Sequence, residues 1–590
     1  MSLTSTIKTI QDIMRKDVGV DGDAQRMSQL VWMLFLKILD EQEKQIEEVQ
    51  NYTSPIKEEF RWRNWAAVEK EEQKTSDQLI EFINNDLFPG LKDINNYRGN
   101  SKLREVIQSV FEDAYNYIKS GSLLRQVIIK IEEDIPLKSF EDQKHLGDVY
   151  EKLLKDLQSA GNAGEFYTPR AVTEFVVDRV APRIGETILD PACGTGGFLA
   201  QAVDYLNKSK REESAETLQN IQDAPRGIEK KPLPHLLAVT NMILHGIKEP
   251  FRIERKNTLD LYTDWTENNK VDIVITNPPF GGMEEEGIEN SFPNEFRTRE
   301  TTDLFIYFIY SKMLKNGGRC AIVLPDGFLF GEGIKNRIKE DLMEKCNLHT
   351  IVRLPNGVFN PYTGIKTNIL FFEKTDKEKD STQTIWFYEH PYPEGYKNYS
   401  KTRPMQFREF QSEQEWWGDL YDTSIYAKRK ESEYACKIDF IKEKIEALAK
   451  AEPCYKRASE YERQKQEKNE EIKELNTAIR NLRKQIKSLN AKEEEKQAVK
   501  KEIEDKKELI KAFKQEVAKL EHKVKEEKDS GDRIKYSVYN LDRKNTFNSQ
   551  KQIIDPDKLL DEFNMLKVKI YETQEELRNE LAQALTQDFE

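Results

Sequence analysis

The chain has 590 residues, a net charge of −13 at neutral pH, and 37% hydrophobic against 33% charged residues. That length holds roughly three to five folding units at about 150 residues each, and charge above the usual ~25% belongs in solvated helices or tails. No run approaches the ~18 apolar residues of a membrane span, and the first thirty residues lack a signal-peptide stretch.

Five scattered cysteines without a CxxC pair, and six histidines without HExxH, exclude a disulfide scaffold and a zinc hydrolase as expectations and suit the reducing cytoplasm. An acidic chain that acts on nucleic acid needs a local basic surface or one borrowed from a partner.

In chain order, residues 1–145 read as a helical domain. Apolar residues from Met27 to Leu39 recur at three- and four-residue intervals, Asp86-Leu87-Phe88-Pro89-Gly90 reads as a break, and helices resume over Leu103–Ile118 and Leu123–Ile131. From 146 to 392 short β-branched runs alternate with helix-length segments: Glu186–Leu189, Arg226–Ile228, Phe251–Ile253, Val271–Thr276, Arg319–Leu324, Thr350–Leu354, Asn368–Phe372 and Thr384–Tyr388. This is the texture of an α/β domain with a mainly parallel sheet. The short link Glu373–Gln383 predicts that the last two strands form an antiparallel hairpin.

Residues 393–454 read as a helical or loop connector. From Tyr455 to Ser530 there is no Gly or Pro, and apolar residues from Ile472 to Val524 recur at coiled-coil spacing around a polar gap. The reading preferred for this segment is an antiparallel helical hairpin, with Leu475, Ile479, Leu482 and Ile486 facing Ile510, Phe513, Val517 and Leu520. One continuous helix seaming with another chain is the alternative. A last helix is expected over roughly Asp557–Leu585, within a segment 531–590 assigned to subunit contact.

Two motifs carry chemistry. Asp190-Pro191-Ala192-Cys193-Gly194-Thr195-Gly196-Gly197 follows a strand and precedes a helix, so its glycines let the backbone turn close to a ligand. An acid ends the strand and the spacing is not GxGxxG. A ligand with an ammonium group and ribose hydroxyls is therefore favoured over a pyrophosphate. The second motif, Asn277-Pro278-Pro279-Phe280, ends an apolar strand. Prolines remove backbone donors and leave carbonyls free. The Asn277 oxygen and the Pro278 carbonyl can then accept both hydrogens of one exocyclic amine, and Phe280 offers a face for a base to stack on. A proline turn closing a strand is the bland reading of the tetrapeptide alone.

The pair DPACGTGG…NPPF resembles the S-adenosylmethionine-dependent N6-adenine DNA methyltransferases whose cofactor motif precedes the catalytic one. Together with Gly164–Arg170, Gly227-Ile228-Glu229, Pro234–Gly246, Val323–Gly327 and Leu354–Phe359, it is similar to the modification subunit of type I restriction-modification systems over about residues 10–390. Tyr539–Asn545 also fits, whereas the long charged coiled coil departs from the pattern. The resemblance implies a Rossmann-like methyltransferase core with an amino-terminal helical domain and a carboxy-terminal coiled-coil region. It implies S-adenosyl-L-methionine as cofactor and no metal. It also implies, as partners, double-stranded DNA, a specificity subunit, a second methyltransferase subunit and a translocating restriction subunit.

By the same likeness Asn277, Pro278, Pro279 and Phe280 would be catalytic. Glu165, Phe166, Tyr167, Thr168, Pro169 and Arg170 would pack over the cofactor's methionine end. Asp190, Gly194, Thr195, Gly196 and Gly197 would line its methionine and ribose side, and Glu229 would accept from the ribose hydroxyls. Asn257 would meet the adenine, with Asp260 close enough to compete. His235 and His245 read as structural. A self-sufficient adenine methyltransferase with its own nuclease and recognition domain, and an inactive coiled-coil scaffold, are the rival readings.

Overall fold

The computed structural model describes residues 3–49, 51–68, 74–94, 100–137, 142, 145–147, 149–151, 154, 168–360, 363–376, 381–400, 402–420, 428–488, 493–545, 563, 565–575 and 577–578. Its centre is a nine-stranded sheet in the order β3-β2-β1-β4-β5-β7-β6-β8-β9. The strands are β1 (Ile188–Asp190), β2 (Pro225–Glu229), β3 (Ile253–Arg255), β4 (Val271–Thr276), β5 (Leu314–Pro325), β6 (Cys346–Arg353), β7 (Thr367–Lys374), β8 (Thr384–Glu389) and β9 (Ala435–Asp439). The first five are mutually parallel.

Alternation along each strand divides the core. Ile188, Ile273, Ile275, Ala321 and Val323 face one apolar layer, and Leu189, Val274, Cys320, Ile322 and Leu324 face the other. The first layer is continuous with the amino-terminal helices Leu3–Met14, Gly22–Val49, Ser101–Phe111 and Gly121–Asp134. Helix Gly22–Val49 packs on helix Pro232–Leu244, which follows β2. The helical domain is thereby fixed to the motif-bearing half of the sheet.

Several expectations are corrected. The Asp86–Gly90 break is absent: a helical run from Ser76 passes through a π-helical turn at Phe82–Leu87 and continues over Phe88–Lys92. Pro89 sits just after the junction between the π-helical turn and that last segment, where the hydrogen-bond ladder changes step. Gly90 serves close packing, since a Cβ there would lie 2.1 Å from Phe60 Cε2.

The last two expected strands do not form a hairpin. β7 inserts antiparallel between β5 and β6, and β8 runs parallel to β6. The boundary at 392 cuts off β9, which pairs antiparallel with β8 and completes the sheet. Nor does all of 531–590 stand apart. Tyr539 and Leu541 are buried in the second layer, and Asn545 Nδ2 donates to the Ser432 and Glu433 carbonyls at 3.0 and 2.9 Å. Residues 563, 565–575 and 577–578 are helical, and the rest of the expected last helix lies outside the described residues.

The charged segment is two long helices, Phe440–Ser488 and Glu493–Tyr536, packed along their length. They run antiparallel: Tyr455 Oη donates to Asp532 at 2.7 Å, Arg457 pairs with Glu527 at 2.8 Å, and Lys468 Nζ lies 4.2 Å from the Phe513 ring centre. The register differs from the expected one. Ile479 packs with Ile503 rather than opposite Phe513, with Leu475, Leu482, Ile486 and Val499 around them. A repeating apolar seam satisfies several registers equally, and the cross-helix ion pairs select one. Cysteines placed at Ile479 and Ile503 should oxidise to a bridge within one chain, while a pair at Ile479 and Phe513 should not. The native cysteines in the described residues are all buried, so non-reducing electrophoresis reads this directly.

Candidate functional site

β1 and β4 are neighbours, with Ile188 beside Ile273 and Leu189 beside Val274. Parallel pairing therefore brings the residues after both strands to the same sheet edge, although they are far apart in sequence. There Thr276 Oγ1 donates to Asp190 at 2.7 Å, and Ala192 N–H donates to the same carboxylate oxygen at 3.1 Å. Asp190 is 1% exposed. Burial pushes its carboxyl up to about 7, against the lowering effect of these two bonds and with a smaller raising contribution from Glu229.

After Asp190 the chain turns tightly and enters helix Gly197–Ser209. Gly196 caps that helix at φ +77°, and a Cβ there would meet Ala238 Cα at 3.3 Å, so both conformation and space demand glycine. The opposite side of the turn is open: a Cβ at Gly194 or Gly197 would find nothing within 4 Å. Asn241, from helix Pro232–Leu244, donates to the Thr195 carbonyl at 3.1 Å and braces the turn. Glu229, at the end of β2, accepts from Gly194 N–H at 3.0 Å and from Lys231 N–H at 2.8 Å. Its carboxylate is therefore held beside the glycines, and half-buried.

Asn257 caps a short 3₁₀ helix, its side-chain oxygen accepting from Leu259 N–H at 3.3 Å. The Lys256 N–H bonds the Glu229 carbonyl at 3.0 Å, which fixes Asn257 next to the end of β2. Asp260 is exposed.

At the end of β4, Asn277 is buried and its Nδ2 donates to Thr168 Oγ1 at 3.0 Å. Its Oδ1 is buried and has no hydrogen-bond partner among the described residues. A buried amide oxygen without a donor costs about 1–3 kcal/mol, a cost that a ligand N–H arriving there would relieve. Pro278 is buried, Pro279 is exposed and accepts from Thr302 Oγ1 at 2.7 Å, and half-buried Phe280 meets Phe359 edge-on at 6.3 Å. The Thr302 bond pins the turn.

Of the segment expected over the cofactor, Thr168 is the residue that touches Asn277. Pro169 caps helix Arg170–Val180, and Arg170 pairs with Glu151 and Glu174 at 2.7 and 3.1 Å. Glu165, Phe166 and Tyr167 lie outside the described residues. His235 is buried against the Ile253 carbonyl at 2.9 Å, and burial lowers its pKa to about 4. His245 bonds Asp204 at 2.9 Å, and both histidines hold structure rather than line the site. Among the described residues no group of three or more His, Cys, Asp or Glu side chains could hold a metal.

Three positioning groups are new relative to the sequence reading. Thr302 carries no local signal. A hydroxyl ending an otherwise apolar strand (Thr276) and an amide in an apolar helix (Asn241) were visible signals.

A glycine turn after β1, a carboxylate ending β2 and an Asn-Pro-Pro-Phe turn after the adjoining β4 thus meet at one end of a Rossmann-like sheet. The family model described as N-6 DNA Methylase matches residues 141–453, and the HsdM N-terminal domain model matches residues 3–131. The chain is 56% identical over 440 residues to the Escherichia coli type I restriction enzyme EcoEI methylase subunit, covering 74% of this chain and 87% of that protein. A solved modification subunit assigned to a type I restriction enzyme of Vibrio vulnificus YJ016 superposes with a TM-score of 0.65 at 40% identity, covering 74% of this chain and 92% of that one. A chain from a structural study of complex assembly in the type I R-M system gives 0.64 at 38% identity, covering 74% and 87%.

The chain belongs to the N-6 DNA methylase family, as a methylase subunit of a type I restriction-modification system. It is an adenine-specific DNA methyltransferase, and its family implies use of S-adenosylmethionine. This reading is supported over the self-sufficient enzyme and the inactive scaffold. Among the described residues no helix is long and apolar enough to cross a membrane.

The raised pKa of Asp190 gives a stability signature. An acid that holds its proton more tightly when folded contributes most below its unfolded pKa near 4, and that contribution is lost as pH rises to about 7. The gap in denaturant midpoint between wild type and Asp190→Asn should therefore shift in favour of the variant from pH 5 to pH 8. A gap independent of pH would contradict the assignment.

Proposed function

We propose that Asn277 Oδ1 and the Pro278 carbonyl accept the two N6 hydrogens of a target adenine, with Phe280 stacked on the base. The observation that carries this reading is the buried Asn277 Oδ1, without a hydrogen-bond partner among the described residues and oriented by the bond from its own Nδ2 to Thr168. The adenine amine is a weak nucleophile because its lone pair is delocalised into the ring. Two acceptors on its N–H bonds favour a tetrahedral nitrogen whose lone pair points along one direction. Holding that geometry takes the place of a general base before transfer, and the proton leaves afterwards. The base must first be extruded from the duplex.

When bound, S-adenosylmethionine supplies the electrophilic methyl group. The open side of the Gly194–Gly197 turn fits such a ligand, with Asp190 and Glu229 offering carboxylates at adjacent strand ends. Glu229 would take the ribose hydroxyls and Asn257 the cofactor's adenine. Thr168 would link the two halves of the site, since it belongs to the segment expected over the cofactor and its hydroxyl holds Asn277. Glu165, Phe166, Tyr167, Pro169 and Arg170 remain proposals on resemblance alone.

The partners that fit a methylase subunit are double-stranded DNA, a specificity subunit that reads the sequence, a second methylase subunit and a restriction subunit. In that scheme residues 1–145, the sheet domain and the helical hairpin act as separate working units.

Asn277→Ala in the assembled enzyme should lower methyl transfer by at least ~100-fold, the usual scale for losing one positioned polar contact to the reacting group. Cofactor affinity measured by calorimetry should stay within about two-fold. Substantial methylation by the variant would refute the role. Phe280→Ala should weaken capture of the extruded base by about 1–3 kcal/mol, as base–aromatic stacking does, without changing cofactor binding. Fluorescence of 2-aminopurine at the target position reads that capture.

A further inference from the structure

The two-helix arm changes its electrostatic character toward its tip. Along the shaft, acids are interleaved with the cations and several pair with them: Arg457 with Glu527 at 2.8 Å, Arg463 with Glu460 at 2.7 Å, Lys468 with Glu471 at 2.9 Å, Lys506 with Glu502 at 3.4 Å and Lys507 with Glu504 at 2.9 Å. Beyond Glu474 no acid occurs until Glu493, and between Leu475 and Lys501 eight lysines and arginines stand against three glutamates. The tip thus carries a surplus of positive charge on a chain whose net charge is −13. Arg480, Arg483, Lys484, Lys487, Lys500 and Lys501 are exposed, and among the described residues they make no ion pair.

The antiparallel register places 480–487 of one helix alongside 497–504 of the other, so the six cations surround one end of the hairpin. The helices carrying them are packed this far along, because Ile479, Leu482, Ile486, Val499 and Ile503 belong to one apolar seam. At 1.5 Å per residue the first helix spans about 70 Å, roughly the length of 20 base pairs of duplex.

We propose that this tip is a second DNA-contacting surface, which binds the phosphate backbone of duplex DNA outside the methylated site without reading sequence. Six exposed cations clustered near one end of the helix pair, in a stretch short of acids, match a polyanion of regular charge spacing, and neutralising phosphates releases condensed counterions. The inference rests on the chain acting on DNA but is independent of how Asn277 engages the base.

The test uses the full chain and a fluorescent 40-base-pair duplex of arbitrary sequence, with anisotropy measured between 50 and 200 mM salt. The variant replaces Arg480, Arg483, Lys484, Lys487, Lys500 and Lys501 by Gln. Affinity at 100 mM salt should fall at least ten-fold. The slope of log affinity against log salt should become shallower by about 5, at ~0.9 for each of the six phosphate contacts removed. A shaft variant with Lys465, Lys468, Lys506 and Lys507 changed to Gln should bind as wild type does.

Unchanged affinity and slope in the tip variant, or an equal loss in the shaft variant, would overturn the proposal. So would a tip variant that keeps its duplex affinity but no longer copurifies with the specificity subunit, since that assigns the tip to a protein. A photo-crosslinker on Lys484→Cys, in an otherwise intact tip, should label the duplex; absence of labelled DNA would equally count against the tip. Failure of any of these leaves cofactor binding and the Asn277→Ala phenotype untouched, so the two readings fall separately.

Discussion

The parallel pairing of β1 with β4 is the constraint on which the site depends. Neither motif is complete alone: the glycine turn has a carboxylate but no acceptor pair for an amine, and Asn-Pro-Pro-Phe has acceptors but no ligand cradle. With Ile188 beside Ile273, both turns leave the sheet at one edge, and Thr276 Oγ1 closes the gap to Asp190 at 2.7 Å. A slip of this pairing by one residue would turn one strand's side chains toward the opposite core layer and part Thr276 from Asp190. The two core layers, one shared with the amino-terminal helices and the other with the base of the arm, therefore fix catalytic geometry as well as stability.

Within that frame the buried amide of Asn277 is an under-satisfied group kept where a protein built for stability alone would fill it. Thr168 engages the nitrogen and leaves the oxygen without a partner among the described residues. Asp190 adds a second cost, a carboxyl buried with two donors whose pKa is pushed to about 7. Both costs sit at one sheet edge, which is where perturbed and unsatisfied groups mark function.

Much of this was legible from the residues. Eight strands stand out because short β-branched runs bounded by turn residues leave few other options, and all eight pair in the sheet. The glycine turn and Asn-Pro-Pro-Phe are local chemistry, so their spacing survives the absence of a structure. What was not legible is non-local. Insertion of β7 between β5 and β6 depends on strand partners rather than on any property of Thr367–Lys374 itself. β9, with the sequence Ala-Cys-Lys-Ile-Asp, has one β-branched residue and becomes a strand because β8 offers an open edge. The hairpin register hid for the opposite reason, a seam repetitive enough to close in several ways until Arg457–Glu527 and Tyr455–Asp532 select one. Thr168 and Asn277 are 109 residues apart, and nothing in either segment announces the contact.

In the mechanism proposed above, Asn277 Oδ1 is held for the amine of an extruded adenine. The most direct test is a structure of the assembled enzyme with target duplex and a non-reactive cofactor analogue. The account predicts the adenine N6 within hydrogen-bond distance of both Asn277 Oδ1 and the Pro278 carbonyl, with Asn277 Nδ2 still on Thr168. An extruded adenine whose amine bonds neither acceptor, or an Asn277 amide turned so that its oxygen faces Thr168, would contradict it.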